Sequence, residues 1–332
     1  MASLLTSHMK DLDGISAAAL LVRYFSVHKP RPFFLALKDY PDGAGIIDER
    51  VMHSSGDELY ISDLATDQES IDVVISRLRV VKEQGNKITW MDHHPTTHEI
   101  TSKLEKVVDV LDLRPSTTTG SEIVYDRLYR MNQIADAHAE LLSNLGHDSD
   151  LLEGRFSVTP KLSTLIDYYN YLDSESAFRP NLIGLALHLA APRVEAQPEA
   201  LLEQYHLSQI ASYETILGSE RGNVLSSVEV MHAGSLTFAI FYYPKVFSGS
   251  AICVDVLEAN NVSGCVGFSD DGSGSVRRKD DRVNCREIAR MLGGGGHEFA
   301  AGFNLGFGAQ TPGDRARARS LITEKVRQLY GP

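Results

Sequence analysis

The stretch Ile88-Thr89-Trp90-Met91-Asp92-His93-His94-Pro95 constrains this chain more than any other. Its apolar start has the character of a buried strand, and it ends abruptly in an acid and two adjacent imidazoles. Pro95 then stops the strand, because proline has no N–H to give to a ladder. In open α/β sheets the ligand crevice lies outside the carboxyl ends of the strands. A strand ending in Asp-His-His therefore delivers metal-binding side chains to the edge where a site forms.

The neighbouring sequence supplies the sheet. Strands are expected at Ser3–Ser7, Phe33–Leu37, Glu58–Ser62, Lys87–Met91 and Val107–Leu113, with helices at Gly14–Val27 and from Gln68 to Gln84. Strands separated by helix-length segments imply βαβ units and a mostly parallel sheet flanked by helices. Further helices are expected at Ser116–Met131 and Ala135–Leu145. Residues 149–159 read as polar and irregular, and Leu162–Leu172 as an apolar, aromatic run with Asp167 inside it. A more polar helical connection follows from Arg193 to about Gly222. Beyond Val228 the pattern changes to a smaller α/β domain. Its expected strands are Leu236–Tyr242, Val262–Ser269 and Ser273–Arg278, and its helices Gly249–Ala259, Cys285–Leu292 and Asp314–Leu329.

Two more strand ends carry the residues that a hard divalent cation needs. The first is Ser7-His8-Met9-Lys10-Asp11-Leu12-Asp13-Gly14, in which one histidine and two acids share a turn and Gly14 lets the backbone bend into a helix. The second is Ile61-Ser62-Asp63. Taken singly, Asp11 reads as a helix cap, Asp13 as an acid facing a helix N-terminus and Asp63 as a loop acid. Together they fall at successive strand ends, which meet at one edge of a parallel sheet. Oxygen ligands with a minority of imidazoles suit Mn2+ or Mg2+.

Composition narrows the field. A chain of 332 residues suits two domains, each with its own core. Cys253, Cys265 and Cys285 are odd in number and widely spaced. That excludes a disulfide framework and a Cys-x-x-Cys zinc site, and it fits a reducing cytoplasm. The start of the chain has no basic n-region, so no signal peptide is expected, and no apolar run is long enough for a membrane span. The net charge of -12 argues against gripping long nucleic acid through many phosphates; two divalent cations would reduce it to about -8.

In order, His8, Asp11 and Asp13, then Asp63, then Asp92-His93-His94 resemble the first three motifs of the DHH phosphoesterase family. Arg114-Pro115-Ser116-Thr117-Thr118-Thr119-Gly120-Ser121-Glu122 is similar to that family's helix start after the third motif. Asp167 is the best match to the fourth motif, with Asp173 as runner-up, although neither has the Asp-Thr-Gly form seen in part of the family. Gly293–His297 followed by Glu298-Phe299-Ala300-Ala301-Gly302-Phe303 resembles the signature of the DHHA1 domain. The resemblance implies a DHH domain over 1–190, a helical linker over 191–225 and a DHHA1 substrate-binding domain over 226–332.

The same resemblance implies two Mn2+ ions, with Mg2+ or Co2+ as substitutes. His8, Asp11 and Asp63 would hold one. Asp13, Asp63, His93 and Asp167 would hold the other, with Asp63 bridging. His94 would face the phosphoryl group, and Asp92 would fix an imidazole tautomer. A metal pair of this kind activates water and neutralises the attacked phosphate.

In the second domain, Ser275-Val276-Arg277-Arg278 resembles the strand from which the family presents a phosphate-binding arginine, and Arg277 is the better match. The glycine run has its own physical reading. Successive glycines (Gly294, Gly295 and Gly296) let backbone N–H groups approach an anion, and His297 can donate to a phosphate oxygen. His53, His98, His138, His147, His188, His206 and His232 read as structural or surface residues, and Trp90 as core or wall.

The expected function is hydrolysis of very short linear RNA, dinucleotides such as pGpG foremost, to nucleoside 5′-monophosphates, as in the nanoRNase-type members of the family. The rivals are a cyclic dinucleotide phosphodiesterase, a single-strand exonuclease, a DHH-type pyrophosphatase, which would lack the Gly-Gly-Gly-Gly-His signature, and a non-catalytic nucleotide-binding regulator. No membrane or long nucleic acid partner is expected, and a homodimer is the one assembly considered.

Overall fold

Strand β1 (Ser3–His8) is buried at every residue and is the strand from which the first unit grows. In the computed structural model, which describes residues 2–39, 45, 47, 49–173, 176, 178–191 and 197–331, the chain divides into two units, Met1–Ile210 and Ala211–Pro332. Residues 192–196, at the start of the expected helical connection, lie outside the described residues. Among the described residues no helix is long and apolar enough to cross a membrane.

The first unit runs β1, α1 (Leu12–Arg23), β2 (Phe33–Lys38), α2 (Glu49–Met52), β3 (Glu58–Ser62), α3 (Ile71–Glu83), β4 (Lys87–Asp92), α4 (His98–Leu104) and β5 (Val110–Leu113). Then come α5 (Gly120–Tyr125), α6 (Ala137–Asp150), α7 (Thr159–Leu172) and α8 (Pro180–Ala190). The strands form one parallel sheet in the order β2-β1-β3-β4-β5. Alternation along each strand feeds two cores. Leu5, Leu35, Leu37 and Met91 pack with α1, α5, α6, α7 and α8, whereas Leu4, Leu59, Ile61, Ile88 and Trp90 pack with the α3 and α4 side. Both faces are covered, which is why these strands read as apolar runs.

The expected sheet is therefore present, with helix boundaries as the main differences. Helix α1 is buried on every side. The chain widens into a π-type turn at Tyr24–His28 within the range expected as regular helix. Helix α5 starts at Gly120, four residues later than expected, because Thr119 and Glu122 form a capping box. Helix α8, which the sequence reading left out, begins at Pro180 and carries the apolar run Leu182–Ala190.

Helix α9 (Gln204–Ser226) spans the boundary of the two units. The second unit continues with β6 (Glu229–Ala233), β7 (Leu236–Tyr242), α10 (Gly249–Ala259), β8 (Gly264–Phe268), β9 (Ser273–Arg278), α11 (Cys285–Met291), β10 (Gly295–Gly296), β11 (Ala300–Asn304) and α12 (Pro312–Tyr330). Its mixed sheet has the order β10-β11-β9-β8-β7-β6, and only β7 and β8 pair in parallel, joined by α10. Phe238, Ile240, Val266, Phe268 and Val276 of the sheet meet Ile288, Ala318, Ile322 and Val326 of α11 and α12 in one core.

Candidate metal centre

The register of the first sheet lines up three motifs. Ser7 of β1, Ser62 of β3 and Met91 of β4 are partners in one row, so His8, Asp63 and Asp92 fall next along three adjacent strands. The chain leaves β1 toward β2 on one side and returns to β3 on the other. The strand order thus reverses here, and such switch points open a crevice at the carboxyl edge. Asp63 turns out of its strand with φ 53°, a left-handed conformation that an aspartate tolerates better than most residues. Its N–H donates to Met91 O at 3.0 Å, which holds the turn against β4.

Helices complete the cluster. Asp11 caps α1 by accepting from Gly14 N at 2.9 Å, and its other oxygen is 3.4 Å from His8 Nε2. Two residues on, Asp13 is buried in the first turn of α1. Its carboxylate accepts from Gly120 N at 2.6 Å and Ser121 N at 2.9 Å, the first N–H groups of α5. The Ser/Thr-rich segment thus presents backbone donors to a buried acid. Gly120 also fits against Asp63, where a Cβ would stand 2.5 Å from the Asp63 Cβ.

His93 Nε2 lies 3.2 Å from Asp63 Oδ1 and 3.7 Å from Asp13 Oδ2, and its Nδ1 lies 3.9 Å from Asp150 Oδ2. His94 Nδ1 lies 2.8 Å from Asp92 Oδ1, a carboxylate oxygen that accepts from it, and its ring centroid is 4.6 Å from that of His93. Ligand atoms of Asp63, His93 and His94 all come within 4.8 Å of one another.

The charge balance of this cluster fits a divalent cation. Burial, and then the charges of Asp13, Asp11, Asp92 and Asp150, push the Asp63 carboxyl well above the usual carboxylate range. Burial and Asp13 also raise Asp150, against the pull of His93. Burial alone would lower the His94 imidazole, but the Asp92 carboxylate outweighs it and raises its affinity for a proton. Asp63 Oδ1 and His93 Nδ1 are buried and make no hydrogen bond. Crowded acids with one buried imidazole nitrogen of His93 that makes no hydrogen bond form an oxygen-rich, nitrogen-poor donor set, suited to a hard or borderline divalent ion.

Asp150 was missed from the sequence. It ends α6 in a stretch, Asp148-Ser149-Asp150, that reads as the start of an irregular segment, and only folding brings it beside His93. Near it, His147 lies 2.9 Å from Glu122 through Nδ1 and 3.2 Å from Glu153 through Nε2, so it has partners that spacing alone did not reveal.

Asp167 lies on α7 with no described hydrogen bond or ion pair to the cluster. Burial raises its carboxyl to about 6, against the pull of Lys10. Asp173 is buried for a structural reason: it accepts from Asn181 N, Leu182 N and Asn181 Nδ2 at the start of α8.

In the second unit, Arg277 sits on β9. Its guanidinium donates to Val276 O at 2.9 Å, to Ala301 O at 3.4 Å and to Ser250 Oγ. The glycine run has a structural use as well as the expected one. Gly294 passes so close to β11 that a Cβ would meet Gly302 O at 2.1 Å, and Gly295 and Gly296 pair with Gly302 and Ala301. The N–H groups of Gly293, Gly294 and His297 donate to Arg290 O, Ala289 O and Ala300 O. Those three donors are thus engaged within the hairpin and with α11.

No protein-family model and no curated protein matches this sequence. Among solved structures, the chain is similar to an uncharacterized protein from Helicobacter pylori G27, with 16% identity, 99% of each chain covered and a TM-score of 0.44. It is similar to an exopolyphosphatase-related protein from Bacteroides fragilis, with 15% identity, 100% of this chain and 94% of that one covered, and a TM-score of 0.47. It is also similar to CDC45 from Entamoeba histolytica, with 6% identity, 98% of this chain and 95% of that one covered, and a TM-score of 0.50. The last likeness is one of fold.

Proposed function

We propose that this protein is a metal-dependent phosphodiesterase that cuts very short linear RNA, dinucleotides such as pGpG among them, into nucleoside 5′-monophosphates. The observation that carries the reading is the convergence of Asp13, Asp63 and His93 at one sheet edge, with Asp150 arriving from α6. His8 ends β1 and Asp11 caps α1 beside them. In the proposal these residues hold divalent ions, Mn2+ first among them. Such ions, when bound, supply Lewis acidity toward a phosphoryl oxygen and lower the pKa of water.

The chain's own residues have defined tasks. Asp13 is fixed by two backbone N–H groups, so its remaining lone pairs are aimed before any ligand arrives. His94 is oriented by Asp92, which lies 2.8 Å from its Nδ1 and makes Nε2 the nitrogen that can face a ligand. It is therefore suited to donate a hydrogen bond to a phosphoryl or leaving oxygen. Arg277 and His297 are the proposed phosphate contacts of the second unit, with Gly294, Gly295 and Gly296 allowing close backbone approach.

The test is product release in Mn2+ from a matched panel: pGpG, pApA, five-nucleotide RNA, long RNA, cyclic di-GMP, cyclic di-AMP and pyrophosphate. Fast conversion of dinucleotides to monophosphates, with long and cyclic substrates spared, is expected. Preferred cleavage of a cyclic or long substrate would overturn the substrate assignment, and tight nucleotide binding without turnover would make the protein a regulator.

A further inference from the structure

The tip of the β10–β11 hairpin carries two aromatic rings in parallel. The His297 and Phe299 ring centroids are 5.2 Å apart with 4° between their planes. Both side chains are exposed, Phe299 at 59%. A single exposed phenylalanine is ordinary on a protein surface. Here, however, the backbone beneath the rings is fixed from several sides. His297 N donates to Ala300 O at 2.8 Å, Cys285 N donates to Glu298 O at 2.9 Å, and Arg286 Nε donates to Gly296 O at 2.8 Å. Gly296 holds φ 134°, and a Cβ there would meet Ala301 Cα at 2.7 Å. The rings stand in water on a rigid support, with the Arg286 guanidinium at its base.

Size decides what such a platform can take. A protein interface needs roughly 800 Å² on each partner, whereas one aromatic side chain buries only about 150–250 Å². Two rings fall well short of the first figure and match the face of one heteroaromatic base. Aromatic side chains hold single-stranded nucleic acid in this way, since every base offers a π-face.

We infer that Phe299, backed by His297, stacks a nucleobase and so makes this hairpin a base-recognition element as well as a phosphate contact. The inference deepens the short-RNA reading and rests on it. It gives the enzyme a way to distinguish a nucleotide from any other phosphate ester.

The test is calorimetric titration of the full chain with GMP and with ribose 5-phosphate, which keeps the phosphate and lacks the base. Phe299→Ala is expected to weaken GMP by about 5- to 150-fold, the range for one base on one ring. Ribose 5-phosphate affinity should stay unchanged, and Phe299→Tyr should restore GMP binding. An unchanged GMP affinity in Phe299→Ala, an equal loss for both ligands, or no GMP binding by the wild-type chain would each overturn the stack. The activity reading fails on a different result, namely absence of turnover of every phosphodiester by the wild-type chain.

Discussion

Gly146 lies against the carboxylate of Asp13: a Cβ built on it would stand 2.6 Å from Asp13 Oδ1 and 2.2 Å from Ser121 Oγ. Helix α6 can approach α1 and α5 this closely only because that position has no side chain. The contact fixes the acid and also brings Asp150, one helical turn further on, to His93.

Gly146→Ala is accordingly expected to act on both stability and metal affinity. Overpacking of this kind costs about 1–3 kcal/mol. Disturbing the groups that orient a ligand costs about 10–100-fold in affinity. Urea unfolding and Mn2+ titration measure the two effects. A variant that binds Mn2+ like the wild type would show that Gly146 does not hold Asp13 in place.

Asp150 and Asp167 should behave differently when made neutral. Asp150→Asn is expected to lower Mn2+ affinity by about tenfold or more. Asp167→Asn should leave it unchanged, since among the described residues no hydrogen bond or ion pair joins Asp167 to the cluster. Manganese titration of both variants decides the matter. The reverse result would return Asp167 to the ligand set.

Asp136 supplies an acid-sensitive anchor for α6. It accepts from Arg23 Nε at 2.7 Å, lies 2.6 Å from His28 Nε2, and caps the helix through His138 N and Ala139 N. Burial opposes its charge, but Arg23 and His28 outweigh burial and hold its carboxyl at about 2. A depressed folded value stabilises the protein above the unfolded carboxylate range and loses that effect as pH falls toward 2. Asp136→Asn should therefore cost about 2–3 kcal/mol at pH 7 and progressively less between about pH 4 and 2. Urea unfolding across that range tests it, and a difference independent of pH would count against the charge argument.

Arg277→Ala should raise KM for phosphorylated dinucleotides with little change in kcat. Losing charged hydrogen bonds to a phosphate is worth about 1.5–3 kcal/mol. Arg277→Lys keeps the charge and loses the planar fork, so it should recover part of the effect. Steady-state kinetics on pGpG gives the answer, and an unchanged KM for every phosphorylated substrate would remove Arg277 from the site.

The order of apolar runs and helix-length spacers was enough to place a parallel sheet, and the acids after β1 and β3 and at the end of β4 were legible because strand ends are local events. The parallel pairing carried His8, Asp63 and Asp92 into one row, as strand spacing implied. Sequence could not show which helix residue would join them. Asp150 falls in a stretch that reads as polar and irregular, and Asp167 inside an apolar, aromatic run. What brings Asp150 to His93 is how α6 packs on α1 and α5, which depends on Gly146 against Asp13 and on the Arg23–Asp136 anchor, partners far apart along the chain. The glycine run shows the same division. Its composition announced close backbone approach, but only the pairing of β10 with β11 decided that part of that approach is to the protein's own strand. Local propensity and strand periodicity are written residue by residue, whereas the approach of two helices is a sum over contacts that no single segment contains.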